Sequence, residues 1–258
     1  MDRVSVNRSS VDFDHWPYPA LVAHRGAGKL APENTLAAFR LGAGHGYRMF
    51  ECDVKLSADG TPFLLHDDKL DRTTDGVGIA GTLAWAELSR LDAGGWHSPG
   101  YAGEPIPRFA ALARWIRANR LLLDVEIKPT TGTELETGHA VAKACLELWH
   151  DAEEPPFLTS FQPKSLEAAR AAAPGLPRGL LLNEHREGWL EAAQRLECVA
   201  VVLKHTLVDA ALVKRAHAAR LRVGVYTPND QSDVDRVREA GVDMVVTDAV
   251  DVHSPREC

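Results

Sequence analysis

The stretch "MFECDVKLSADGTPFLLHDD", residues 49 to 68, opens with an apolar run that has the composition of a buried strand. Two acids, Glu51 and Asp53, interrupt this run. Their spacing places both carboxylates on one face of a strand. Because unpaired carboxylates are costly in a core, the pattern predicts either a cation site or an edge strand with two surface acids.

The Asp59-Gly60 dipeptide in the same stretch is a strong hairpin signal. It predicts that residues 62 to 66 form an antiparallel strand, which brings His66 back beside the two acids. The next residues, 67 to 107, are rich in glycine, aspartate and proline and fit no repeat. We expect them to form an inserted lobe between the second strand and its helix. A long loop in a compact domain is usually functional, so a role for this lobe in function is expected.

Similar apolar runs recur along the chain and alternate with segments of helical period. The predicted strands cover 20–25, 48–54, 121–127, 157–161, 178–182, 198–203, 221–226 and 243–247. The predicted helices cover 34–46, with Asn34 as N-cap, and 134–150, 163–173, 186–196, 208–219 and 230–240. This alternation favours an α/β fold of the (β/α)8 TIM-barrel type over a doubly wound sheet. The whole chain, 1–258, is expected to form one domain that contains the inserted lobe.

Composition narrows the function classes. A net charge of -7, with scattered lysines and arginines, argues against a nucleic-acid partner. The apolar runs are too short to span a membrane, and no apolar stretch of signal-peptide length occurs at the N-terminus. The cysteines show no C-x-x-C spacing, which favours reduced thiols; they are Cys52, Cys145, Cys198 and Cys258. We therefore expect a cytoplasmic protein without membrane insertion.

Polar residues stand at or near the ends of three predicted strands, where a barrel of this type carries its active site. They are His24 and Arg25 on the first strand, Glu51 and Asp53 on the second, and Asp124, Glu126 and Lys128 on the third. Carboxylates gathered at one mouth suit a divalent cation, magnesium or calcium. A lysine beside them suits a phosphate as well.

His24 and His66 add two imidazoles to this end of the barrel. Imidazole titrates near neutral pH, so two histidines near a metal-bound phosphodiester can act as general base and general acid. No G-x-S-x-G, Walker A or H-E-x-x-H pattern occurs in the chain. The absence of these three patterns argues against the commonest types of serine hydrolase, NTPase and zinc protease.

Four segments in this order, "AHRGAGKLAPENTLAAF", "ECDVKLSADG", "LLHDDKLDRTT" and "VEIKP", resemble the glycerophosphodiester phosphodiesterase family. The resemblance spans roughly residues 18 to 252 and is closest to bacterial cytosolic members. It implies a (β/α)8 barrel with an insertion at about 67 to 107. It also implies hydrolysis of small-molecule glycerophosphodiesters to sn-glycerol 3-phosphate and an alcohol.

The resemblance also implies a role for each matching residue. Glu51, Asp53 and Glu126 would be the metal ligands, His24 and His66 the acid/base pair, and Arg25 and Lys128 the phosphate contacts. Many family members carry tryptophan where this chain has Tyr226, which implies an aromatic wall for the glycerol.

Several alternatives stay open from the sequence. The nucleophile is either water or the neighbouring glycerol hydroxyl, and a homodimer is compatible with the chain. A lipid-directed phosphodiesterase of the phospholipase D or phosphatidylinositol-specific phospholipase C type is the nearest rival. It would be expected to expose an apolar or basic membrane-facing surface. A catalytically silent phosphate-binding protein is a rival from another class.

Overall fold

A computed structural model describes residues 11 to 255 of the chain. Its strands form a single sheet, in which eight run parallel and the third is antiparallel to the second. The first strand pairs with both the second and the ninth, which closes the parallel strands into a barrel. The strands are β1 Leu21–Ala23, β2 Met49–Leu56, β3 Pro62–Leu64, β4 Leu122–Ile127, β5 Phe157–Ser160, β6 Arg178–Leu182, β7 Ala200–Lys204, β8 Arg222–Tyr226 and β9 Met244–Thr247. The predicted TIM barrel is confirmed.

Helices connect the successive parallel strands. They are α1 Leu36–Gly44, α2 Trp85–Leu88, α3 Phe109–Ala118, α4 Glu134–Leu148, α5 Pro163–Ala172, α6 Trp189–Arg195, α7 Ala210–Ala218 and α8 Gln231–Glu239. The predicted N-cap of α1 is wrong: Thr35 holds that position, and its hydroxyl accepts a hydrogen bond from the Ala38 N–H at 3.2 Å. Asn34 instead adopts a left-handed backbone conformation with φ of 59°, and its side chain turns into the barrel mouth.

The barrel interior is apolar at one end and polar at the other. Its apolar end is formed by a buried cluster that includes Val22, Met49, Phe157, Leu181, Ala200, Val202, Met244 and Val246. Tyr18, which precedes β1, packs into this cluster. On β2, Met49 belongs to the apolar end, and Glu51 and Asp53 follow on the same face toward the carboxyl end of the strand. The apolar floor thus supports a polar mouth.

The antiparallel strand that the Asp59-Gly60 turn predicts is present, although β3 ends at Leu64, two residues before His66. The chain then continues through residues 67 to 107, which contain α2 and two short 3-10 helices. Leu70, Ala80, Leu88, Ala93 and Ile106 of this segment pack with Phe63 and Leu65 in a small core of their own. Residue 66 therefore lies where the barrel mouth meets the added segment.

Among residues 11 to 255, no helix combines the length and the apolar character that a membrane span requires. Cys52, Cys145 and Cys198 are free and buried, as expected for reduced thiols. Cys258 lies outside the described residues, as does the start of the N-terminal segment.

Candidate active site

Three carboxylates meet at the mouth of the barrel because of the register between β2 and β4. Asp53 pairs with Glu126, and Glu51 pairs with Asp124. Ligand oxygens of Glu51, Asp53 and Glu126 all lie within 4.8 Å of one another, and the three residues are buried. The structure thus brings together the three residues predicted to bind a metal. Asp124 is excluded from this group, and its carboxylate instead accepts a hydrogen bond from the Thr159 hydroxyl at 2.8 Å.

Burial and mutual repulsion act on these carboxylates. Burial raises the pKa of Glu51, and the charges of Asp53 and Glu126 raise it further. Burial also raises the pKa of Glu126, although Lys128 opposes the rise. The Oε1 atom of Glu51 and the Oδ1 atom of Asp53 are buried without a hydrogen bond. Hard oxygen ligands with unused lone pairs are what Mg²⁺ or Ca²⁺ prefers, so the donor set fits a divalent cation.

Two cations flank the carboxylates. Arg25 Nε lies 3.2 Å from Asp53 Oδ2, and Lys128 Nζ lies 3.0 Å from Glu126 Oε1 and 3.4 Å from Asp53 Oδ1. Burial alone would raise the pKa of Asp53, but Arg25 and Lys128 outweigh it and hold the pKa well below its usual range. Asp53 is therefore ionised at neutral pH, and both cations are held where a phosphate could meet them.

His24 follows directly after β1 and faces the carboxylate cluster. Its Nε2 atom lies 3.7 Å from Glu51 Oε2, and its Nδ1 atom lies 2.6 Å from Asp248 Oδ1. Burial would raise the pKa of Asp248, but the hydrogen bond with His24 lowers it, so Asp248 is ionised. The Asn229 amide donates to the other Asp248 oxygen at 3.2 Å. This chain of contacts fixes the His24 ring with Nε2 toward the site.

His66 is held in the same manner on the other side of the mouth. Its Nδ1 atom lies 2.6 Å from Asp67 Oδ1. Burial lowers the pKa of His66 despite the opposing charge of Asp53. Each of the two predicted histidines therefore has its Nδ1 atom 2.6 Å from an aspartate oxygen.

Five polar residues of the site were not predicted from the sequence: Glu33, Asn34, Asp67, Asn229 and Asp248. Asn34 and Asp53 exchange two hydrogen bonds, from the Asn34 amide to Asp53 Oδ2 at 2.8 Å and from the Asp53 N–H to Asn34 Oδ1 at 3.1 Å. Asp67 adjoins a predicted site residue in sequence, and adjacency alone could have marked it. Asp248 is 224 positions from its partner His24, so no local signal connects the two.

A cavity of about 200 Å³ opens above the carboxylates. Its polar lining includes His24, Arg25, Glu51, His66, Glu126 and Lys128, and its apolar lining includes Phe161, Leu181 and Tyr226. The Tyr226 ring stands edge-on to Phe161, with centroids 5.8 Å apart, and its hydroxyl donates to the Leu182 carbonyl at 3.1 Å. A wider groove of about 560 Å³ lies at residues 185 to 191, and none of the three clustered carboxylates lines it.

Comparisons with known proteins point to one family. Residues 24–252 match the model of the glycerophosphoryl diester phosphodiesterase family. A glycerophosphodiester phosphodiesterase of Caldanaerobacter subterraneus is 33% identical, over 88% of this chain and 93% of its own length. An Oleispira antarctica phosphodiesterase, solved in complex with the product sn-glycerol-3-phosphate, has a TM-score of 0.86 and 34% identity over 93% of this chain and 97% of that chain. A glycerophosphodiester phosphodiesterase of Agrobacterium tumefaciens has a TM-score of 0.74 and 26% identity, over 91% and 98% of the two chains.

Proposed function

Because the chain belongs to the glycerophosphoryl diester phosphodiesterase family, we propose that it hydrolyses glycerophosphodiesters to sn-glycerol 3-phosphate and an alcohol by metal-assisted acid–base catalysis. The chain is an enzyme of the phosphoric diester hydrolase class. The observation that carries the proposal is the meeting of three carboxylates, two histidines and two cations at one barrel mouth. The similarity to a phosphodiesterase solved with sn-glycerol-3-phosphate supports the same product here.

Glu51, Asp53 and Glu126 would hold the divalent cation, magnesium or calcium. The cation would supply a Lewis acid that polarises the phosphoryl oxygens and offsets the charge that develops in the transition state. The crowding of Glu51 against Asp53 and Glu126 supports this assignment, because a cation between the carboxylates would offset their mutual repulsion.

Arg25 and Lys128 would bind the nonbridging oxygens of the phosphodiester. The Nε and Nη1 atoms of Arg25 are engaged with Asp53 and Glu33, at 3.2 Å and 2.9 Å. The N–H groups of Arg25 that do not contact Glu33 would be the donors to a phosphate oxygen. Lys128 Nζ lies 5.7 Å from the centre of the Phe161 ring, which borders the same cavity. Both cations are thus fixed before the substrate arrives, which reduces the reorganisation needed in the transition state.

His24 and His66 would move the protons. One accepts a proton from the nucleophile at Nε2 as the new P–O bond forms, and the other donates a proton to the leaving alcohol oxygen as the old P–O bond breaks. Asp248 and Asp67 keep Nδ1 protonated in each ring, which leaves Nε2 as the atom that exchanges protons.

The nucleophile is either water or the neighbouring glycerol hydroxyl, and the second route passes through a cyclic phosphate. Single-turnover reaction in oxygen-18 water, with quenching and trapping, distinguishes the two routes. A cyclic phosphate that forms and then decays supports attack by the hydroxyl. Direct incorporation of the label without any cyclic species supports attack by water.

The proposed function is tested with the purified full chain on a panel of glycerophosphodiesters, with and without chelator. We expect release of sn-glycerol 3-phosphate that stops in excess chelator and returns with magnesium or calcium. Hydrolysis of the parent phospholipid in preference to its glycerophosphodiester would favour the lipid-directed rival. No product from any diester, with the metal supplied, would favour a silent phosphate-binding protein.

We also propose that the protein acts in the cytoplasm. Cys52, Cys145 and Cys198 are free thiols, which supports action in a reducing cytoplasm.

A further inference from the structure

Arg72 contacts two carboxylates at once from the segment that follows β3. Its Nη1 and Nη2 atoms donate to Glu33 Oε2 and Oε1, each at 2.7 Å. Its Nε and Nη2 atoms donate to Asp67 Oδ2 and Oδ1 at 2.7 Å and 3.0 Å. A planar guanidinium binds carboxylates in this two-pronged manner, whereas a lysine ammonium does not.

Each of these carboxylates holds one member of the proposed catalytic set. Asp67 Oδ1 lies 2.6 Å from His66 Nδ1, and Glu33 Oε1 accepts a hydrogen bond from Arg25 Nη1 at 2.9 Å. Arg72 therefore lies one contact away from the acid/base histidine and one contact away from the phosphate-binding arginine. It does not line the cavity above the carboxylates.

The contact with Glu33 limits the movement of the Arg25 side chain. With Nη1 on Glu33 and Nε on Asp53, at 2.9 Å and 3.2 Å, the guanidinium of Arg25 is held from two sides. Arg25 is also a non-glycine residue with φ of 50°, and its N–H donates to Glu51 at 3.0 Å. If Arg72 released Glu33, the Glu33 carboxylate would be free to follow Arg25 or to draw it away from the phosphate.

We infer that Arg72 is a positioning residue that sets the orientation of His66 through Asp67 and of Arg25 through Glu33. Residues 67 to 107 thus contribute to the chemistry of the barrel by fixing two groups that lie outside the segment. The inference rests on the proposed function, because it assigns His66 to proton transfer and Arg25 to phosphate binding.

The contact of Arg72 with Asp67 and its contact with Glu33 predict different kinetic effects. Asp67→Asn removes the charge that orients His66, so kcat should fall about tenfold or more while KM stays nearly constant. Glu33→Gln loosens Arg25, so KM and the inhibition constant of sn-glycerol 3-phosphate should each rise about tenfold with a smaller change in kcat. Arg72→Met should combine both effects, and Arg72→Lys should lie between Arg72→Met and the wild type.

Double variants show whether Arg72 acts through its two partners. Adding Arg72→Met to Asp67→Asn should lower kcat little beyond the single change, and adding it to Glu33→Gln should raise KM little further. Arg90→Met, which alters an exposed arginine of the same segment, is the matched control and should leave both constants unchanged. Thermal unfolding of every variant separates a loss of folded enzyme from a change in kinetics.

Clear outcomes would overturn the inference. Near-native kcat and KM in folded Arg72→Met would do so, and so would full additivity in both double variants. A folded wild-type enzyme that releases no sn-glycerol 3-phosphate from any glycerophosphodiester would instead overturn the proposed function, and the inference with it.

Discussion

Asp248→Asn is the substitution that probes the orientation of His24 most directly. Asp248 Oδ1 lies 2.6 Å from His24 Nδ1, and its Oδ2 accepts from the Asn229 amide at 3.2 Å. Because Asn229 donates at the second position, the oxygen of the new side chain should stay there. Its NH2 group then faces Nδ1 of His24. The imidazole must respond by carrying its proton on Nε2, which is the wrong tautomer for a base at that atom.

The magnitude follows from the lost contact. A hydrogen bond to a charged group contributes about 1.5–3 kcal/mol, which corresponds to a loss of roughly 10- to 150-fold in kcat at 1.36 kcal/mol per factor of ten. The assay is release of sn-glycerol 3-phosphate under saturating substrate, with a pH profile of kcat. Asp251→Asn, at an exposed aspartate three residues further along the chain, is the control and should behave like the wild type. A fall of less than about threefold in folded Asp248→Asn, with an unchanged pH profile, would refute the reasoning.

Four further substitutions test other parts of the site. His24→Ala and His66→Ala should each lower kcat by about 10²–10⁴, and near-native turnover in both would contradict the acid/base assignment. Glu126→Gln should raise the magnesium or calcium concentration needed for half-maximal activity, and full activity in excess chelator would exclude the metal site. Burial raises the pKa of Asp124 from 3.8 to about 8, so the folded chain holds a proton that the unfolded chain releases. Stability against urea should therefore decline as pH rises between these values, and Asp124→Asn should flatten that decline; an unchanged slope would contradict the raised pKa.

The barrel could be predicted from sequence because its signals are local. Each strand is a short apolar run, and the spacing of Glu51 and Asp53 places both on one face of their strand without any knowledge of the rest of the fold. The Asp59-Gly60 turn likewise predicts the return of the chain toward His66. Glu126 could be expected near Asp53 because it stands on the corresponding face of the next parallel strand, and the register confirms that they pair.

The residues that hold His24 could not be predicted in this way. Asp248 and Asn229 come from the loops after β9 and β8, and only closure of the barrel brings Asp248 beside His24. Asn34 was misassigned because an asparagine before a helical run is a good N-cap. Its left-handed backbone and its bonds to Asp53 depend on tertiary contacts that propensity does not include.

The charges at the mouth suggest why a cation and a phosphodiester should bind together. Among residues 11 to 255, Arg25 and Lys128 are the two lysine or arginine side chains that pair with Glu51, Asp53 and Glu126, so the cluster, when fully ionised, carries one excess negative charge. Binding of a divalent cation leaves one excess positive charge, which a phosphodiester monoanion then neutralises. Because burial makes any uncompensated charge costly, the site without metal should repel the substrate, and the site with metal should attract it. Metal binding is thus expected to contribute to substrate affinity as well as to turnover.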